Sequence, residues 1–272
     1  SLQIDLKDEE AKIRREVASR LIRMGEASAR EGDTRNMRRS FEEAQSLSPP
    51  HDTPIYVWVP SGQFIIGSDI DDPYASSADR PKSPAHLDGY WISRNEVTNA
   101  LYVECMKARV CEAPNDSRYL ETQYAANPVT GLTLHQARTY AQWVGGRLPT
   151  EMEWEKACRG PFGRIFPWGD ADPDPRRLNY AETRIFSWLA VGSFAGDVSP
   201  YGVLDMAGNV AEWTDSSFLD NTQSELFVIK GGSYGIYDVT ALRCTNLRSA
   251  RASAPDFHLG FRVVFTEYPG LK

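Results

Sequence analysis

From residue 55 onward, the chain consists of short apolar runs that alternate with clusters of glycine, proline, aspartate and serine. Runs such as IYVWV, FIIG and YWIS have the length of single strands, and the clusters between them favour turns and irregular loops. Long helices have no place in such a pattern. The chain is therefore expected to adopt a loop-rich α+β fold, with small sheets and a few short helices.

Three short helices are predicted within this part of the chain. The first covers Asn99 to Lys107, and the second covers Thr133 to Val144, where Thr133 can cap the first turn. The third covers Thr150 to Arg159, because Thr150 followed three residues later by Glu153 is a capping-box pattern.

The first fifty residues predict two further helices, roughly Asp8 to Glu31 and Asn36 to Leu47, which the prolines of SPPHDTP end. The pair is similar to one tetratricopeptide unit, and a single unit cannot bury its own apolar face. Residues 1–50 are interpreted as a packing or linker hairpin that precedes one domain over residues 55–265. A repeat that grips a peptide is the alternative.

Composition and charge exclude several classes of protein. The chain of 272 residues is 41% apolar and 25% charged, as in ordinary globular proteins. Its net charge of −7 argues against a nucleic-acid partner, since phosphate binding needs a surplus of lysine and arginine. No apolar run reaches 18 residues, so no membrane span is expected, and residues 1–20 are too charged for a signal peptide.

The four cysteines are too few for a disulfide scaffold. Cys105 and Cys111 are close enough in sequence to close a small loop in an oxidising compartment. The expected location is extracytoplasmic if they do so and cytoplasmic otherwise. Cys158 and Cys244 are expected to be buried free thiols. The four histidines are scattered, so no transition-metal site is expected.

The segment from Gly231 to Thr266 contains no lysine, glutamate, glutamine, methionine or tryptophan. Aromatic residues mixed with small polar residues give contact area at a low entropic cost. We expect a contiguous, exposed binding face for a protein or small-molecule ligand, formed by Tyr234, Ile236, Tyr237, Asp238, Thr240, Asn246, Phe257 and His258. The framework beneath it is expected to comprise Gly231, Gly232, Gly260, Phe261 and Arg262.

Five motifs, GRLPTEMEWEKACRG, FPWGD, YGVLDMAGNVAEWT, KGGSY and LGFRVV, occur in this order. Together with VPSGQFIIGS and YWISRNEVTNALY upstream, they resemble the formylglycine-generating enzyme (sulfatase-modifying factor) superfamily over residues 55–265. The resemblance implies a C-type lectin-like fold, with two small twisted antiparallel sheets, a pair of helices and much irregular loop.

Members of the superfamily include oxidases, sulfoxide synthases and non-catalytic binding domains. The resemblance implies that an oxidase needs two copper-binding cysteines after GGSY, and those positions are Ile236 and Ala241 here. No copper is expected, and copper-dependent oxidation is not expected either. The sulfoxide synthases add a helical domain with clustered histidines, which residues 1–50 lack.

The resemblance also implies a structural calcium ion in GNVAEW. Its ligands would be the backbone of Gly208 and Val210 with the Glu212 carboxylate and the Asn209 side chain, an oxygen set that suits calcium. The alternative is a hydrogen-bonded turn without metal. The resemblance implies a second calcium site that would begin at Asn179 and Tyr180. The distal part of that site has no match in this chain.

Each residue type between Gly231 and Thr266 can be encoded by a codon that ends in a pyrimidine, and the segment resembles the variable region of proteins diversified by retroelements. Three interpretations stay open. The first is a non-catalytic recognition domain, with or without diversification. The second is a sensory or scaffold domain of a larger bacterial signalling protein, such as a Ser/Thr kinase. The third is an oxidase of altered chemistry.

Overall fold

The computed structural model describes residues 56–69, 72–75, 79, 81–218, 225–267 and 269, together with isolated positions between residues 13 and 43. The described positions at 13–28 and 35–43 are helical. Asp33 lies between them, and its carboxylate accepts a hydrogen bond from the backbone N–H of Asn36 at 3.1 Å. Leu21 packs against the main core. The predicted helix ends at Asp8 and Leu47 lie outside the described residues.

Nine strands and three α-helices are described in the rest of the chain. The strands are β1 (Tyr56–Val59), β2 (Gly62–Ile66), β3 (Ser83–Leu87), β4 (Tyr90–Ser93), β5 (Ala211–Ser217), β6 (Leu226–Lys230), β7 (Arg248–Arg251), β8 (Leu259–Gly260) and β9 (Val264–Phe265). The helices are α1 (Asn99–Lys107), α2 (Leu134–Trp143) and α3 (Glu151–Arg159). Four single turns of 3₁₀ helix lie at Ser117–Leu120, Thr122–Tyr124, Ala181–Thr183 and Val239–Leu242. No described helix combines the length and the apolar character needed to cross a lipid bilayer.

All three helix predictions are confirmed, and both predicted caps form. Thr133 accepts a hydrogen bond from the backbone of Gln136, and the Gln136 side chain bonds back to the cap. Thr150 and Glu153 make the same reciprocal pair at α3. Arg147 then holds the Glu153 carboxylate through two hydrogen bonds of 2.6 and 2.7 Å. The start of α3 is thus fixed both by its own sequence and by the preceding loop.

The strands form three sheets, with orders β1-β4-β9, β2-β3 and β7-β6-β5-β8. The resemblance implied two antiparallel sheets, and this expectation is wrong in two respects. A third sheet is present, and β5 pairs with β8 in parallel, with Ala211 opposite Leu259. Parallel pairing is possible here because the connection from β5 to β8 is long and contains β6 and β7.

The four-stranded sheet brings three loops to one end. The start of β5 lies beside the start of β8, and Glu212 of β5 pairs with Lys230 at the end of β6. The loop that precedes β5, the loop that follows β6 and the loop that precedes β8 therefore meet at the same edge of the sheet. The predicted framework residues Phe261 and Arg262 are fully buried beneath this edge.

Cys105 and Cys111 form a disulfide, with their Cα atoms 5.3 Å apart. They thereby close the small loop that their spacing suggested. The expectation of free thiols at Cys158 and Cys244 is wrong. These two residues are fully buried, as expected, but they form a second disulfide between α3 and the loop after β6. All four cysteines of the chain are therefore paired.

Candidate functional site

An aromatic cluster lies at the loop end of the four-stranded sheet. The guanidinium carbon of Arg118 lies 3.9 Å above the centre of the Trp188 ring, and Tyr124 meets the same ring edge-on at 5.0 Å. Tyr234 packs with Trp188 in one buried group and stacks on His258, with ring centres 4.4 Å apart. We call Arg118, Tyr124, Trp188, Tyr234 and His258 the aromatic cluster. It joins four loops that are far apart in sequence.

Arg118 is held in place from below. Its side chain forms two short hydrogen bonds with the Asp116 carboxylate, at 2.8 and 2.6 Å, and Thr130 donates to the same carboxylate at 2.8 Å. The indole N–H of Trp188 in turn donates to Thr130 at 3.2 Å. Burial raises the pKa of Asp116, but the bonds from Arg118 and Thr130 outweigh it and lower the pKa overall. The pair is ionised, rigid and electrically balanced.

His258 is fixed by its own loop. Its backbone N–H donates to the Asp256 carboxylate at 2.7 Å, and its ring nitrogen Nδ1 lies 3.4 Å from the Ser233 hydroxyl. The ring also covers Gly235, where an added Cβ would lie 2.8 Å from a ring carbon. The loop at Gly235 and the loop at His258 are thus packed together without room for a side chain between them.

The structure brings part of the predicted binding face to the surface. Tyr237, Asp238, Phe257 and His258 are exposed. The exposure predicted for Tyr234 and Asn246 is wrong, because both side chains are buried. Tyr234 is buried because it fills the space between Trp188 and His258.

Two other predicted residues serve local packing. Ile236 is half-buried against a separate apolar group that contains Phe166 and Leu178. Thr240 is half-buried, and it donates its hydroxyl to the Asp238 carboxylate at 2.7 Å. Asp238 also accepts the Thr240 backbone N–H, so it caps the following 3₁₀ turn.

Exposed apolar side chains are concentrated in the sequence segments that carry the aromatic cluster. Ten large apolar residues are exposed among those described, and three of them lie before residue 25. Of the other seven, five lie within three residues of a cluster member. We call these five the rim: Leu120, Ile185, Phe186, Tyr237 and Phe257. Large apolar patches on a protein surface usually mark interaction sites.

The loop that carries Phe186 is held in a costly conformation. Arg184 and Phe186 have φ angles of 59° and 52°, a region that bulky residues avoid at a cost of about 1–3 kcal/mol each. The loop is fixed by the side chain of Asn179, which donates to the Ser187 carbonyl at 2.9 Å, and by Asn209, which accepts the Leu189 N–H at 2.9 Å. Phe186 is nevertheless 55% exposed.

A comparison of the sequence with known protein families identifies the scaffold. The model of the sulfatase-modifying factor enzyme 1-like domain matches residues 41–267. The chain belongs to this family. The match covers all nine described strands and the three helices α1 to α3, and it includes every member of the aromatic cluster.

Two curated relatives are similar to most of the chain. The chain is 29% identical to the serine/threonine-protein kinase pkn1 of Chlamydia caviae over 81% of its own length. It is 30% identical to hercynine oxygenase of Mycolicibacterium smegmatis over 66% of its own length. The chain spans only 39% and 54%, respectively, of these two relatives.

A solved structure confirms the fold. Treponema denticola variable protein 1 superposes with a TM-score of 0.64 at 18% identity, and the match covers 79% of this chain and 95% of that one. The domain therefore has the α+β, C-type lectin-like fold of its family. At this level of identity the likeness extends to the fold alone.

The positions that the family's oxidases use for copper carry no thiol here. Ile236 is half-buried and Ala241 is buried. Cys244, the cysteine nearest to them in sequence, is fully buried and bonded to Cys158. Soft thiolates are the ligands that hold copper(I), and the disulfide leaves none at this place.

The implied calcium ligands do not fit a calcium ion as they are arranged. Both carboxylate oxygens of Glu212 accept hydrogen bonds from Arg262, at 2.5 and 2.6 Å, and one also accepts the Trp154 indole N–H at 2.7 Å. The Asn209 oxygen accepts from Leu189 and from the Asn179 amide. A cation would have to compete with these donors, and the calcium at Glu212 stays a prediction.

The backbone around both implied calcium sites is closely packed. Gly208 donates its N–H to Asp197 at 3.1 Å, and an added Cβ there would lie 2.5 Å from the Asn179 carbonyl oxygen. Val210 is buried beside Tyr234. The Tyr180 carbonyl accepts the hydroxyl of Thr183 at 2.7 Å. The second calcium site likewise stays a prediction.

A group of buried carboxyls lies behind the aromatic cluster. Burial, reinforced by the neighbouring Asp205, raises the pKa of Asp197 to about 8. Burial also raises the pKa of Asp205 to about 6 and that of Glu96 well above its ordinary value. The Glu96 carboxylate accepts a hydrogen bond from the Asn209 amide at 3.1 Å. These acids therefore link the base of the loop that contains Asn209 to the start of α1.

Sequence reasoning missed Arg118, Tyr124 and Trp188. The first two lie on single turns of 3₁₀ helix, and Trp188 follows a stretch without helical or strand periodicity. The Asp116–Arg118 spacing resembles many surface turns. No local pattern indicated that these residues would meet Tyr234.

Proposed function

We propose that residues 55–265 form a non-catalytic recognition domain that binds a protein or small-molecule ligand at the face formed by the aromatic cluster and its rim. The observation that carries the proposal is the concentration of exposed apolar side chains in the short segments that a rigid, stacked group brings together. Rigid aromatic side chains contribute most of the binding energy in many interfaces. The absence of cysteine at positions 236 and 241 supports a role in binding rather than copper chemistry.

The test uses a paired substitution in the rim and a matched control. The variant Tyr237→Ser/Phe257→Ser removes two exposed aromatics, and Phe162→Ser removes a phenylalanine that is 88% exposed but lies on the loop after α3. Peptides selected from a random phage-displayed library on the wild-type domain serve as probes. The rim variant should weaken their binding at least about 30-fold, the equivalent of a hot spot of about 2 kcal/mol.

The control variant should bind the same peptides within about twofold of the wild type. Thermal midpoints should agree for all three proteins, because exposed positions contribute little to stability. Equal binding by the rim variant and the wild type would refute the proposal.

A sensory or scaffold role in a larger signalling protein is the second candidate. The similarity to the kinase pkn1 over 81% of the chain favours it, because a recognition domain can form one part of a signalling polypeptide. The two disulfides support an extracytoplasmic location, since such bonds persist in oxidising compartments. A kinase domain in the same reading frame would support this role, and its absence would leave recognition alone.

Diversification of the C-terminal segment is a narrower form of the same proposal. Variable residues need access to a ligand, yet Tyr234, Cys244 and Asn246 are buried within the segment. We therefore propose that any variation is confined to exposed positions such as Tyr237 and Phe257. A template repeat beside the gene would support diversification if the two sequences differ in those codons at the positions where the template has adenine.

An oxidase of altered chemistry remains the alternative that the similarity to hercynine oxygenase favours. It predicts stoichiometric metal binding and turnover of a thiol substrate. Purified protein that neither retains a metal nor consumes oxygen with thiols would eliminate it.

A further inference from the structure

The binding face carries more exposed acidic residues than basic ones. Four segments carry the aromatic cluster: residues 117–125, 181–189, 233–240 and 252–258. Within these segments four acidic residues are exposed, Glu121, Glu182, Asp238 and Asp256, and one basic residue, Arg184, is exposed to the same degree. Arg118 adds no net charge, because Asp116 neutralises it through a 2.6 Å ion pair. The face is therefore both apolar and acidic.

None of the four acids forms an ion pair with a basic side chain in the described part of the chain. Glu121 accepts only the amide of Gln123, at 2.9 Å. The hydrogen bonds from the side chain and backbone of Thr240 lower the pKa of Asp238, so its carboxylate is ionised at neutral pH. Arg248 acts electrostatically on Asp238 and Asp256 without forming an ion pair, so all four carboxylates can still pair with a cation of a ligand.

The sign of the charge decides between classes of partner. The phosphates of nucleic acids and of anionic lipids are attracted by lysine and arginine, and this face presents the opposite charge. The whole chain adds to the repulsion, with a net charge of −7. A partner that supplies cations and an apolar side chain is complementary in both respects.

We infer that the face binds a cationic segment of another protein, in which an aromatic or aliphatic side chain packs on the rim and flanking lysine or arginine residues meet the exposed acids. This inference rests on the proposed recognition function and specifies its partner. Tyr237 and Phe257 lie on the same loops as Asp238 and Asp256, respectively, immediately beside them in sequence. Apolar and charged contacts are therefore interleaved on the face.

Selection from a random phage-displayed peptide library tests the chemistry of the partner. Enriched peptides should carry a net positive charge and at least one aromatic or large aliphatic residue. Their affinity should fall about tenfold or more between 50 and 300 mM NaCl, because salt screens exposed charges. Most of this loss should appear in the association rate, as electrostatic steering predicts.

A charge-reversal variant locates the effect. Glu121→Lys/Glu182→Lys should weaken the same peptides at least about tenfold at 50 mM NaCl, and the neutral variant Glu121→Gln/Glu182→Gln should have an intermediate effect. Neither carboxylate caps a helical turn, so folding should be unchanged. The control is Glu267→Lys, an exposed acid that follows β9 in the three-stranded sheet.

The outcomes separate the two levels of the proposal. Acidic or uncharged peptides that lose binding in Tyr237→Ser/Phe257→Ser would overturn the cationic partner and leave recognition intact. Peptides that bind this rim variant as well as the wild type would overturn both. Rim-dependent binding to phosphatidylserine vesicles, with no peptide enriched, would overturn the inference in favour of a lipid surface.

Discussion

The guanidinium of Arg262 donates to both carboxylate oxygens of Glu212, through Nε at 2.6 Å and through a terminal nitrogen at 2.5 Å, and neither side chain is exposed. The remaining donors of Arg262 bond the carbonyls of Ser93, Arg94 and Leu204, at 3.0 to 3.1 Å. One side chain thereby joins β4, β5 and the loop before Asp205. The loops proposed to form the binding face leave the sheet beside this junction, because Glu212 pairs with Lys230 and with Gly260.

Breaking the pair should be expensive. The change Glu212→Gln leaves the Arg262 charge buried without a counter-ion, which typically costs about 3–5 kcal/mol. The exposed pair of Arg138 and Asp215 provides a control, and Asp215→Asn should cost less than about 1 kcal/mol. Urea denaturation of both variants measures the difference. Similar losses in the two variants would contradict the assigned role of Arg262.

Chelation of calcium should leave the domain unchanged. Glu212 and Asn209 already accept hydrogen bonds from protein donors, so a metal ion would have to compete with these donors. The thermal midpoint should be the same in EGTA and in 1 mM calcium, a concentration of about the order that weak extracellular sites require. A rise of several degrees with calcium would show that the ion displaces Arg262 or Leu189.

The two disulfides should contribute unequally to stability. Cys158–Cys244 spans 86 residues of sequence, and Cys105–Cys111 spans 6. Chain-entropy arguments give about 4–5 kcal/mol for the long loop and about 2–2.5 kcal/mol for the short one. The double variants Cys158→Ala/Cys244→Ala and Cys105→Ala/Cys111→Ala, compared by urea denaturation, measure the gap. Equal losses would show that local packing, not loop closure, dominates.

The buried acids predict a loss of stability at high pH. Burial raises the pKa of Asp197 from 3.8 to about 8, so the folded state binds a proton that the unfolded state releases between these values. The stabilisation is complete below about pH 4 and is lost as the pH rises through about 8. The variant Asp197→Asn cannot ionise, and its amide oxygen can still accept from Ala207 and Gly208.

Between pH 5 and pH 9, the difference in unfolding free energy should shift in favour of Asp197→Asn by at least about 1.4 kcal/mol, the equivalent of one pKa unit. A parallel pH dependence of the two proteins would contradict the raised pKa.

Two nearby phenylalanines should differ in what they contribute. Phe261 is fully buried and meets Tyr140 edge-on at 5.5 Å, whereas Phe257 is 49% exposed. Phe261→Ala should cost about 3–5 kcal/mol, and Phe257→Ala should change stability by under about 0.5 kcal/mol. Chemical denaturation measures both. Substantial destabilisation by Phe257→Ala would assign it to the core.

The sequence predicted the helices well because their ends carry local signals. Thr150 and Glu153 form the expected capping box, and α1 has the predicted bounds Asn99–Lys107. The long-range disulfide could not be predicted in this way. Cys158 lies on a helix and Cys244 on a loop, and no spacing rule relates two cysteines that the fold alone brings together.

The candidate site was predicted in part. Exposure at Tyr237, Asp238, Phe257 and His258 followed from a polar and aromatic loop composition. Burial of Tyr234 depends on Trp188, whose loop lies more than forty residues upstream. Composition describes what a loop can expose, but the partners that bury a side chain come from the tertiary fold.

The bond between Cys158 and Cys244 also determines what a protease can release. A single cut of the backbone anywhere between these residues leaves two fragments that are still covalently joined, one ending and one beginning at the cut. The second fragment carries β7 and β8, and the first remains attached to it through α3. A nicked molecule of this kind migrates as one species without reductant and as two with it. Where proteases are abundant, the two parts of the domain can therefore stay covalently joined after the backbone between them has been cut.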